Sequence, residues 1–203
     1  MPAPWQISVK YALDRAIAVP LFVLLLPVFA LIALAIRLDD RGPALFRQRR
    51  VGEGGATFDI LKFRTMIVDA DRHLDAAGMP TRPRVTRVGK WLRRTSLDEL
   101  PQLINILRGE MSCIGPRPLL PDNEKALDAK FADRHLMRPG VTGLAQVNGR
   151  NNLPWSRRIA YDLEYVRSYS LLLDLKILIK TFGVVLAMRN VSDDRNKTAV
   201  DDL

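Results

Sequence analysis

The stretch Ile17 to Ile36 reads IAVPLFVLLLPVFALIALAI, twenty residues without a charge or a strongly polar side chain. As one straight helix it would be about 30 Å long, the thickness of one hydrocarbon core. A core helix of a soluble domain keeps a polar face for water, and this run has none. The segment therefore engages a membrane. Pro20 and Pro27 decide how. Pro27 lies near the middle, where its ring clashes with the carbonyl of Val23 and offers it no N–H, so a re-entrant helix–break–helix is expected. Cations flank the run on both sides: Lys10 and Arg15 before it, then Arg37, Arg41, Arg47, Arg49 and Arg50. Positive charge at both ends suits a hairpin with both ends cytoplasmic. A kinked single-span anchor is the competing reading. A cleaved signal peptide fits worse, because the apolar region is too long and no disulfide-bearing domain follows.

Outward from this segment, the chain has 203 residues and 22.9 kDa, enough for one domain with a real core. Lys plus Arg total 31 against 22 Asp plus Glu, a formal charge of +9. Partners should therefore carry negative charge: nucleic acid, anionic lipid or a phosphorylated substrate. A single cysteine, Cys113, excludes a disulfide-stapled scaffold. With only His73 and His135 beside it, a structural zinc site is also excluded. Three regions are expected: the membrane segment at 1–36, a catalytic domain at 37–188 and a polar tail at 189–203.

Residues Ala44 to Met66 hold short mixed runs separated by Gly52-Glu53-Gly54-Gly55, the pattern of a β-hairpin. Residues 69–80 are polar and read as helix plus loop. The segment 82–94 carries Arg82, Arg84, Arg87, Lys90, Arg93 and Arg94 and no acid. Directly after it comes SLDELPQLINILRG, Ser96 to Gly109. Leu100, Leu103, Ile104 and Leu107 share one helical face, and Gly109 is a natural stop. Pro101 is tolerated only in the first turn, which puts the N-cap near Asp98. Asp98 and Glu99 are then either capping groups or acids held beside an anion site of clustered cations. Two carboxylates beside a phosphate need a metal or a reaction to justify the repulsion. Both readings stand at this point.

Two further loops matter. Gly115-Pro116-Arg117-Pro118 presents an arginine between two prolines, stiff and suited to bidentate phosphate contact. Arg138 to Arg150 (RPGVTGLAQVNGR) has glycines that allow a ligand to approach backbone. Leu171 to Met188 is too charged to cross a bilayer and too apolar for an ordinary surface. An in-plane amphipathic helix is expected there, with a core helix as competitor. Asn190 to Leu203 reads as a frayed tail.

The order of these pieces is more specific than any one of them. The Pro-broken apolar segment, KFRTM at 62–66, SLDELPQL at 96–103, GPRPL at 115–119 and RPGVTG through Gly149-Arg150 closely resemble the monotopic phosphoglycosyl transferases of the bacterial sugar transferase family. The resemblance covers about Lys10 to Met188 in the minimal, single-domain form. It implies a mixed α/β, helix-rich monotopic membrane protein with a re-entrant segment, a small cytoplasmic catalytic domain and interfacial helices. The implied reaction moves a sugar-1-phosphate from a UDP-sugar to a polyprenyl phosphate such as undecaprenyl phosphate, with UMP as the other product. By the same resemblance Asp98 is the nucleophile of a phosphosugar–enzyme intermediate, Glu99 its dyad partner, and Mg²⁺ is bound at Asp98. Lys62, Arg64, Arg93, Arg117, Gln146 and Arg150 are expected to bind substrate. Membrane lipid is an expected partner at the cytoplasmic face of the bacterial inner membrane; nucleic acid is not, and a homodimer is left open. Relatives often place a serine before the membrane-breaking proline, where this chain has Leu26. The rival class is a membrane-anchored binding or scaffold protein for anionic lipid or nucleic acid.

Overall fold

The computed structural model describes residues 3–75, 79–125, 129–149 and 153–186. Its elements, in chain order, are α1 (Pro4–Asp39), β1 (Leu45–Val51), β2 (Thr57–Phe63), α2 (Arg87–Thr95), α3 (Gln102–Arg108), β3 (Ser112–Ile114), α4 (Pro121–Lys125), β4 (Gly140–Thr142), α5 (Leu144–Val147), α6 (Trp155–Arg167) and α7 (Leu171–Leu186). Short 3₁₀ turns fill several connections, including Leu97–Glu99. The architecture is mixed α/β and helix-rich, as expected. The polar tail from 189 onward and Arg150 lie outside the described residues.

α1 corrects one expectation. It runs unbroken for 36 residues with both Pro20 and Pro27 inside it, rather than as two helices parted at Pro27. The physical reason is packing on either side of the prolines. Ala18, Phe22 and Leu25 join one core cluster with Phe58, Ile60, Leu103 and Ile106. Phe29 bridges that cluster to a second, where Ile32 and Ile36 meet Phe63 and Leu92. Steps of three and four residues keep one stripe of α1 facing the domain from end to end. The opposite face, including Ile17, Leu24, Leu31, Leu34 and Leu38, is exposed and apolar. A helix apolar on both faces, with the domain covering only one, has lipid as the natural neighbour of the other. By length and composition α1 is the one described helix able to cross a bilayer.

Both ends of α1 are tied to the same domain. Near its start, Lys10 pairs with Asp174 at 2.6 Å, and Asp14 accepts from Ser112 Oγ at 2.6 Å and from the Cys113 N–H at 3.2 Å. At its finish, Asp39 accepts from the Val88 N–H and Asp40 from the Val68 N–H.

β1 and β2 form the expected antiparallel hairpin, in register from Leu45↔Phe63 to Val51↔Thr57. The fully buried Asn105 of α3 fixes that hairpin to the helix. Its Oδ1 accepts from the Leu61 N–H, and its Nδ2 donates to Asp59 O and Glu110 Oε2. Asn105→Leu leaves these buried groups unmatched and should cost about 2–4 kcal/mol of stability. Thermal unfolding of the variant checks this; an unchanged midpoint would show that the network is dispensable.

The second sheet is a parallel pair that the sequence reading did not foresee. β3 and β4 align Ser112 with Gly140 and Ile114 with Thr142. Gly140 donates to Pro116 O and Gly115 to Thr142 O, each at 2.9 Å, so the two glycine-bearing loops lie side by side. A Cβ on Gly140 would sit 2.0 Å from the Gly115 nitrogen, which leaves glycine as the residue that fits. α6 and α7 close the core with Tyr165, Val166 and Ile177. On α7, Leu171, Leu172, Leu175, Leu178, Ile179 and Phe182 are exposed, an apolar face on the described part of the helix expected at the headgroup boundary.

Candidate active site

Helix α3 starts at Gln102 with Pro101 as its N-cap, and no side chain caps it. Asp98 is therefore not a helix cap, as the sequence spacing had left open. Pro101 ends one regular segment and begins another, and the dyad sits in the 3₁₀ turn Leu97–Glu99 between α2 and α3. Ser96, left-handed at φ 59°, turns the chain sharply into it. The turn points both acids into a cavity of about 1160 Å³. That cavity reaches from the dyad to Leu21 of α1 and Thr181 of α7, so it borders both elements that carry exposed apolar faces.

Lys62 of β2 reaches Glu99 at 2.7 Å. Asp98 forms no ion pair among the described residues. Its carboxyl is pushed up to about 6, first by burial and then by the charge of Glu99, against the pull of Lys62 and Arg93. One acid is thus neutralised by a lysine while its neighbour is held near the middle of the accessible pH range.

Arg93 lines the cavity from α2, with its Nε donating to Thr65 Oγ1 at 2.8 Å. Arg117 also lines the cavity, exposed, with its main chain fixed by a buried ion pair. Arg134 donates to Arg117 O at 2.7 Å, Asp162 accepts from the Arg117 N–H at 3.4 Å, and the two pair at 2.8 Å with side chains 1% and 2% exposed. Neither member of this clamp was singled out from the sequence. A conspicuous sign was the pairing of a stiff Pro-Arg-Pro loop with an acid inside an otherwise apolar helical face. Gln146, from the helical turn after Gly143, lines the same cavity, and its buried amide oxygen and nitrogen have no partner. Buried amides are ordinarily satisfied, so Gln146 keeps a donor and an acceptor that a ligand could use.

Arg64 departs from expectation. It is buried, and its guanidinium is committed to Pro43 O, the Asp40 main chain and carboxylate, and Met66 O. It touches the cavity wall but acts as a clamp between the end of α1 and β2, not as a free phosphate ligand. Arg150 lies outside the described residues.

For a metal, no group of three His, Cys, Asp or Glu side chains converges among the described residues. A magnesium ion is commonly held by one or two carboxylates together with substrate phosphates and waters. Asp98, a hard oxygen donor without an ion pair among the described residues and lining a cavity with cations suited to phosphate, fits that mode.

The model for bacterial sugar transferases matches residues 5–188. The chain is 46% identical over 189 residues to the UDP-glucose:undecaprenyl-phosphate glucose-1-phosphate transferase of Caulobacter vibrioides, covering 89% of this chain and 71% of that one. It is 45% identical over 202 residues to the undecaprenyl-phosphate glucose phosphotransferase of Komagataeibacter xylinus, covering 92% of this chain but 37% of the longer relative. The exopolysaccharide production protein ExoY of Sinorhizobium fredii is 40% identical, with 89% and 86% covered. A transferase with a long apolar helix suited to a membrane is the class that the family match and α1 together define. The chain belongs to the bacterial sugar transferase family and is an enzyme of its phosphoglycosyl transferase kind.

Proposed function

We propose that the protein transfers glucose-1-phosphate from UDP-glucose to undecaprenyl phosphate at the cytoplasmic face of the bacterial inner membrane, as a step in exopolysaccharide assembly. The observation that carries this reading is the cavity in which Asp98, without an ion pair among the described residues, shares the lining with Arg93 and Arg117 beside the apolar α1. The activities of the relatives support the choice of sugar and acceptor.

In the first step an Asp98 carboxylate oxygen attacks the phosphorus that bears the sugar. The bond from that phosphorus to the bridging oxygen breaks, UMP leaves with the electron pair, and an aspartyl phosphosugar remains. In the second step a phosphate oxygen of the acceptor attacks the same phosphorus and the Asp98 carboxylate is released. Glu99 and Lys62 hold one another and so shield Asp98 from a direct lysine pair that would blunt it. Arg117 and Arg93 stabilise the charge that builds on the phosphoryl oxygens, and Gln146 offers its unpaired amide to the sugar phosphate. Mg²⁺, when bound, would be held by Asp98 and would supply charge neutralisation. Mass spectrometry of enzyme quenched with UDP-glucose and no acceptor tests the reading. A sugar-phosphate mass on the Asp98 peptide supports it, and UMP release with no adduct on any residue would refute the covalent route.

Both ends of α1 stay on the cytoplasmic side in this reading, because Lys10, Asp14, Asp39 and Asp40 all bind one polar domain. A spanning helix would need to tear one set away. Single cysteines at positions 8 and 57, in a Cys113→Ser background, should both resist a membrane-impermeant thiol reagent until cells are opened. Labelling at position 8 alone in intact cells would mean a span.

A further inference from the structure

Arg50, next to last in β1, lines the cavity, and its chemical surroundings are unusual. Its Nη1 donates to Pro118 O at 3.2 Å and its Nη2 to Gln48 Oε1 at 2.6 Å. Its Nε is shut away from solvent with no hydrogen-bond partner. Both acceptors are neutral, and no carboxylate pairs with it among the described residues. The residue beside it is a second cation, Arg117, on the very loop that Pro118 belongs to. Burial and that like charge pull the Arg50 guanidinium down to about 10, with Glu99 opposing.

A half-buried cation next to another cation, with neutral acceptors alone, is costly to maintain unless an anion completes it. Of the dyad acids, Glu99 already holds Lys62 at 2.7 Å, and neither Glu99 nor Asp98 forms an ion pair with Arg50 among the described residues. A guanidinium has five N–H groups. With Nε buried and one bond made from each Nη, one N–H remains on each terminal nitrogen. The Pro118 contact also ties Arg50 to the Gly115–Pro118 loop that carries Arg117. We propose that Arg50 is a substrate-contacting residue which, with Arg117, cradles the diphosphate of the nucleotide-sugar donor. Two adjacent phosphates match two adjacent cations, whereas the acceptor carries one phosphate. This inference rests on the donor class given under Proposed function.

The test uses the full chain in detergent or nanodiscs, as wild type, Arg50→Met and Arg50→Lys. UDP and pyrophosphate are the calorimetric probes, in buffer containing Mg²⁺. Arg50→Met should bind both about 10- to 100-fold more weakly, the usual range for losing charge-assisted bonds to phosphate. Its unliganded melting temperature should be unchanged or higher, because an unpaired cation has been removed. Arg50→Lys should recover part of the affinity, and the KM for undecaprenyl phosphate should not move. A lower melting temperature with unchanged UDP affinity would reduce Arg50 to a prop for Pro118 and overturn the proposal. A raised acceptor KM with unchanged UDP affinity would place the acceptor phosphate there and overturn it equally. Wild-type enzyme that binds UDP through Arg50 yet turns over no UDP-sugar would sink the proposed reaction and leave the cradle standing.

Discussion

Asp98→Asn should abolish the phosphosugar adduct and lower turnover by at least about 10³-fold, the scale expected when a covalent nucleophile is removed. The amide keeps the size of the side chain and cannot form the acyl phosphate. Stability should not fall with it. The Asp98 carboxyl is raised to about 6 in the folded chain, so the fold favours its neutral form. A group of this sign contributes stability that is complete below its unfolded value and is lost as pH rises through about 6. Asparagine mimics that neutral form at every pH, so the variant at pH 7.5 should melt no earlier than wild type. The same ionisation predicts an acid limb for the wild-type enzyme: kcat/KM should climb as pH rises through about 6 and then level. Rate profiles with and without the substitution, read beside melting curves, settle the role. A variant that still turns over normally would remove Asp98 from the chemistry, and one that is inactive because it unfolds would return it to a structural post.

The second large effect belongs to the buried pair beneath Arg117. Arg134→Met strands Asp162, whose carboxyl burial already pushes above its ordinary range, without the guanidinium that offsets it. Breaking a buried pair from one side costs about 3–5 kcal/mol. The loss has a pH signature. Asp162 in the variant is held more firmly protonated, and a raised carboxyl destabilises increasingly as pH rises through its folded value. The melting deficit should therefore be larger at pH 8 than at pH 5. Arg134→Met with Asp162→Leu should recover much of the stability, because the pair is replaced by apolar groups. Activity should stay about 10-fold or more below wild type, since nothing then holds the Arg117 main chain in place. Recovery of both together would show that the clamp serves folding alone.

The apolar run 17–36, the hairpin at 44–66 and the stop at Gly109 were legible because each rests on local pattern: hydropathy, turn residues, a left-handed glycine. The dyad and the Arg117 loop were legible by motif. What the sequence did not disclose depends on contacts between distant residues. The unbroken course of α1 through Pro27 is set by Phe58, Leu92 and Leu103 packed against the helix, all of them far along the chain from Pro27. Arg64 lies in the same motif as Lys62, yet Asp40 claims it. The β3–β4 pair joins strands of three residues, too short for any period to announce. Arg50 looked like one more flanking cation, because its lack of a counter-charge is a property of the folded wall.

The domain-facing stripe of α1 has a consequence for anyone seeking a soluble version of this enzyme. Ala18, Phe22, Leu25, Phe29, Ile32 and Ile36 are part of the same interior as Phe58, Phe63, Leu92 and Leu103. Trimming the chain to begin near Arg41 would uncover that interior along its whole length and release an aggregating fragment rather than a working catalyst. Anchor and catalyst were not joined as separable modules. The lipid-seeking helix is also the keel on which the rest is built, so the depth at which the cavity rides in the bilayer surface is inherited from the fold itself.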